Sequence, residues 1–61
     1  MKLTLTMNLD NSAFQDDDFG TSEETIRCLE QVIEQLRNYR DWGAIKDSNG
    51  NNVGNFMIEG E

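Results

Sequence analysis

Leu3, Leu5, Met7 and Leu9 alternate with Lys2, Thr4, Thr6 and Asn8. A period of two predicts a half-buried strand over residues 1–9, with the threonines on its wet face. The alternation stops at Asp10, and residues 10–20 read as a loop. Within it, Ala13 and Phe14 are expected to form one helical turn that lids the core, with Phe19 anchoring the far end. From Thr21 to Arg40 the period changes. Ile26, Leu29, Ile33 and Leu36 recur at spacings of three and four, Val32 and Tyr39 widen the stripe, and Cys28 lies on its flank. This is the apolar face of an amphipathic helix. Thr21 and Glu24 fit a capping box at its start. Glu23 can pair with Arg27 one turn on. Glu23 and Glu24 near the first turn, and Arg37 and Arg40 near the last, suit the helix dipole. Nothing interrupts the helix before Gly43.

Residues 41–58 predict a hairpin turning at Asp47-Ser48-Asn49-Gly50-Asn51. Two registers compete. A two-residue Asn49-Gly50 turn pairs Ile45 with Gly54. A three-residue loop with a left-handed Gly50 pairs Ile45 with Val53 and Trp42 with Phe56. The second is favoured because it sets apolar against apolar.

Together these elements predict an α+β fold, β-α-β-β, with one helix on one face of a three-stranded sheet. The densest apolar run is in the third strand, which places it centrally and gives the order 2-3-1. Residues 1–61 are expected to form a single domain, with Leu5, Leu29 and Ile33 buried together between the first strand and the helix. One helix covers one sheet face. The other face is expected to meet a second copy, with Trp42, Phe56, Met57 and Ile58 at the dimer contact.

Size and charge sharpen this picture. A chain of 61 residues builds a small core, and such folds often rely on disulfides, a metal or oligomerisation. One cysteine and no histidine exclude an internal disulfide and a Cys/His zinc site, leaving oligomerisation. Twelve acids against five bases, a formal charge of −7, oppose direct binding to nucleic acid or to anionic membranes. No apolar run approaches a membrane span. The alternating N-terminus lacks the continuous apolar run of a secretory signal. The expected location is cytoplasmic, with Cys28 reduced.

The acids cluster. Asp10, Asp16, Asp17, Asp18, Glu23, Glu24, Glu30 and Glu34 fall in residues 10–34, opposed only by Arg27. Such a face keeps a small protein soluble, or it meets a basic partner, including one that ordinarily binds DNA or RNA. The partner-binding surface is assigned to Asp16, Asp17, Asp18, Glu23, Glu24, Glu30 and Glu34. The aspartate run lacks the scaffolding that would converge it on a cation, and no metal or cofactor is expected. The Asp47–Asn52 stretch carries the wrong residues for a calcium loop: Asn52 where glycine is needed, and Ile58 where a bidentate glutamate is needed. Cys28 has no histidine to act as its base, so packing is its expected role. No nucleotide-binding glycine pattern or catalytic triad can be assembled, and the chain reads as no enzyme.

The segment Lys2-Leu3-Thr4-Leu5-Thr6-Met7-Asn8-Leu9-Asp10-Asn11-Ser12-Ala13-Phe14 and the hairpin Asp47-Ser48-Asn49-Gly50-Asn51-Asn52-Val53-Gly54 together resemble a group of small hypothetical proteins. These are carried by bacteriophages, prophages and plasmids, and share a similar strand, an amphipathic helix and a D-x-N-G-N-x-V-G turn. The resemblance implies a mobile-element origin, a bacterial host cytoplasm and no catalytic residues. By analogy with small acidic phage proteins, it implies an interaction protein that binds and inhibits a host protein, in its sharpest form as a nucleic-acid mimic. The alternative is a structural or assembly accessory that associates through its apolar sheet face.

Overall fold

A computed structural model describes residues 1–10, 14 and 20–60. Strand β1 (Lys2–Met7) is followed by helix α1 (Gly20–Arg37), strand β2 (Trp42–Lys46) and strand β3 (Asn52–Glu59). The strands form an antiparallel sheet in the order β1-β3-β2, as the hydrophobic content of the third strand predicts. Phe14, Cys28, Val32, Ile45, Val53 and Phe56 form the core, with Leu5, Met7 and Leu36 packed around it. Phe14 is buried in that core, the position expected of a lid. Ala13, Phe19 and Asp16–Asp18 lie outside the described residues.

The helix is rotated from the face that hydropathy selects. Glu24, Cys28 and Val32, spaced by four, are buried, whereas Ile26, Leu29 and Ile33 are 51%, 38% and 47% exposed. Leu29 and Ile33 therefore do not join Leu5 in the core. Polar contacts account for the rotation. The Gln31 side chain pairs with both backbone groups of Lys46: its Nε2 donates to the carbonyl at 2.7 Å, and its Oε1 accepts from the N–H at 2.9 Å. Gln35 Nε2 donates to the Ala44 carbonyl at 3.0 Å. These amides draw α1 over the outer edge of β2, the strand it chiefly packs against. Gly43 makes the close approach possible, since a Cβ there would collide with the Gln35 side chain and the Phe56 ring.

Both helix ends differ from expectation. Thr21 lies one residue inside the helix with its hydroxyl donating to the Phe14 carbonyl, and the Glu24 carboxylate is held by Arg27 and the Ser48 N–H, so the capping box does not form. At the other end the helix stops at Arg37, short of Arg40. Tyr39 adopts the left-handed conformation (φ 64°). Its N–H donates to the Leu36 carbonyl at 2.9 Å, and that of Arg40 to the Gln35 carbonyl at 3.1 Å. This two-bond cap usually employs glycine. Tyr39 consequently points away from the helix stripe and is almost fully exposed.

The hairpin combines the two anticipated registers. Next to the turn, Lys46 pairs with Asn52, as a three-residue loop requires, and Gly50 has φ 85°. An irregularity between Ile45 and Lys46 then shifts the ladder by one residue. Beyond it Ile45 faces Gly54 and Trp42 faces Met57, which replaces the expected pairs with Val53 and Phe56. Such a bulge places two residues opposite one and changes which face the following side chains occupy.

Candidate functional site

The helix separates the acids into two groups. Glu23, Glu30 and Glu34 are exposed. At 1.5 Å per residue they lie about 10 and 6 Å apart along the outer side of the helix. Glu24 points inward, 8% exposed. Its carboxylate accepts from Arg27 Nη2 at 2.9 Å, from Arg27 Nε at 3.3 Å and from the Ser48 N–H at 2.7 Å. The hydrogen bond from Arg27 holds the Glu24 carboxyl below its ordinary range, and the same bond raises Arg27. Arg27 is thus bound to Glu24, and the expected pair with Glu23 is not formed. Glu24 leaves the open acidic surface and fastens the helix to the hairpin loop. Asp16, Asp17 and Asp18 lie outside the described residues. Among the described residues, no cluster of three potential metal ligands occurs.

Asp47 is also buried, with 4% exposure. Its carboxylate accepts from the N–H groups of Asn49 at 2.9 Å and Asn51 at 2.8 Å, folding the loop around itself. Cys28 is fully buried, and its thiol faces the Lys46 carbonyl at 3.7 Å. Burial pushes the thiol pKa up, so the sulfur is a packing atom and a poor nucleophile.

The four residues expected at a dimer contact divide between the faces. Trp42 and Met57 are directly opposed on the face away from the helix, 65% and 44% exposed, and Thr4 of β1 continues the same row. Phe56 lies in the core opposite Gly43 and Leu5, and Ile58 is half-buried opposite Leu3. The shifted ladder is the cause, because it aligns Trp42 with Met57 and turns Phe56 inward.

Sequence reasoning missed what surrounds Trp42. The Arg40 guanidinium lies 5.7 Å from the indole centroid, within cation–π range. Tyr39, 94% exposed, directly precedes Arg40. An open groove runs along Trp42, Gly43, Asn55, Phe56 and Met57. The available signal was the Tyr39-Arg40-Asp41-Trp42 run at the helix–strand junction, where a side chain escapes both periodicities. Among the described residues no helix is long and apolar enough to cross a membrane. No protein-family model, no curated protein and no solved structure matches the chain.

Proposed function

We propose that this chain is a non-enzymatic interaction protein whose main contact is the outer face of its sheet. Trp42 and Met57 are its anchors, and Arg40 and Tyr39 stand beside them. The supporting observation is the exposed Trp42–Met57 pair on a face without a helix, joined by an arginine. Tryptophan, tyrosine and arginine dominate the energetically important residues of interfaces, and truncating such an anchor costs ~2 kcal/mol or more of binding. The partner implied by the phage resemblance is a host or phage protein, with inhibition as the outcome. An assembly accessory would use the same face.

Glu23, Glu30 and Glu34 support a second reading, that of a phosphate-like surface. Three carboxylates over roughly 16 Å of helix are sparse beside duplex DNA, which carries a charge every ~1.7 Å. The described acids therefore fit a role in steering association better than one in full mimicry. The test is capture of the host partner by wild-type protein, by Trp42→Ala and by the triple variant Glu23→Gln, Glu30→Gln, Glu34→Gln, across a salt series. The leading reading expects Trp42→Ala to weaken binding at least tenfold, with the triple variant altering mainly the association rate. Full binding by Trp42→Ala, with steep salt dependence lost in the triple variant, would reverse the order of the two readings.

A further inference from the structure

The sheet has two edges, and the fold treats them differently. The outer edge of β2 is occupied, since Gln31 and Gln35 bond to the backbone of Lys46 and Ala44 as a neighbouring strand would. The outer edge of β1 carries no strand among the described residues. The Asn8 N–H donates to the Val53 carbonyl at 2.8 Å. Backbone direction alternates along an antiparallel strand, so Lys2, Thr4 and Thr6 also address β3. Leu3, Leu5 and Met7 then direct their N–H and C=O groups outward. Edge backbones of this kind are templates for pairing.

We infer that β1 pairs antiparallel with β1 of a second copy, about a twofold axis at Leu5. Leu5 then faces Leu5 of the other copy, and Leu3 faces Met7, through about six hydrogen bonds. In this register Leu3, Leu5 and Met7 of both copies stay on the helix face. Thr4 meets Thr6 on the outer face, a favourable cross-strand pair. A slip of one residue would set leucine against threonine on opposite faces. Charge also permits the approach: β1 carries Lys2 and no carboxylate, in a chain of net charge −7. Lys2 faces Asn8 of the other copy, so no like charges are opposed. The product is a continuous six-stranded sheet. It leaves both Trp42–Met57 pairs open on one face, with the two β2 strands about 24 Å apart at the usual strand spacing. Self-association and partner binding then use separate surfaces, and the dimer is bivalent.

Strand pairing alone buries less than a standard interface, so a weak dimer is expected. Sedimentation equilibrium and amide hydrogen exchange test this on the whole chain. The amides of Leu3, Leu5 and Met7 should gain protection as concentration rises, while those of Thr4 and Thr6 are protected throughout. Proline at an edge position whose N–H faces outward leaves the internal ladder intact. Leu3→Pro, folded by circular dichroism, should therefore be monomeric, and Trp42→Ala should still dimerise. Should Leu3→Pro fail to fold, the concentration-dependent protection in the wild type decides the matter. A wild-type chain still monomeric at about 0.5 mM would overturn the inference. So would a dimer whose Leu3, Leu5 and Met7 amides exchange freely, or one that Leu3→Pro leaves unchanged.

Discussion

Replacing Gln31 by glutamate changes one atom of the clamp that holds α1 on the edge of β2. The retained oxygen still accepts from the Lys46 N–H. The second oxygen now meets the Lys46 carbonyl, where Nε2 had donated at 2.7 Å. One hydrogen bond is lost, worth ~1 kcal/mol, and two acceptors are left facing each other in a half-buried site. The expected destabilisation is about 1–2 kcal/mol at pH 7, a large share of the ~3–9 kcal/mol available to a domain of this size. The facing carbonyl raises the pKa of the introduced carboxyl in the folded state. A group raised in this way contributes its stability below the unfolded pKa and loses it as pH rises through the folded one. Once protonated, the carboxyl can donate to the carbonyl as the amide did. The deficit relative to wild type should therefore shrink near pH 4. Gln31→Ala should be similarly destabilised at both pH values, because it leaves nothing to titrate at that position. Urea denaturation of the three proteins at both pH values reads this out. A Gln31→Glu protein as stable as wild type at pH 7, or a deficit unchanged near pH 4, would refute the clamp as the source of the helix orientation.

Val32 is buried and Leu29 faces solvent, so Val32→Ala should cost ~2 kcal/mol and Leu29→Ala clearly less, measured by thermal unfolding; the reverse ranking would return the helix to the orientation its hydropathy suggests. Tyr39→Gly relieves a left-handed non-glycine residue and should stabilise the fold by ~1 kcal/mol, raising Tm by about 4–8 °C, whereas an unchanged or lower Tm would mean that the tyrosine side chain contributes packing of its own. The lowered Glu24 pKa contributes stability at pH values above the carboxyl's unperturbed 4.5, stability that is lost as pH falls through the folded value. Glu24→Gln should accordingly lower stability at pH 7 and flatten the acid limb of the stability profile, and an identical acid limb would assign that limb to other carboxylates.

Local patterns determined much of this protein. Strict alternation over residues 1–9 is readable without context, because a strand exposes its faces with period two. Gly50 at positive φ follows from turn chemistry, and the central place of β3 from its apolar density. The α+β order was therefore written in the sequence. The choice of helix face was not. Hydropathy counts Ile26, Leu29 and Ile33 as core, but the rotation depends on where glutamine amides find backbone to bond, and the edge of β2 beside the helix offers it. The same limit applies to the site. Glu24 and Glu23 are adjacent in sequence, yet one fastens the loop and the other remains in solvent. A one-residue shift in the ladder sends Phe56 inward and leaves Trp42 beside Met57. That shift lies between Ile45 and Lys46, one step from the turn. It is a property of the assembled elements, because each register taken alone satisfies the local pattern.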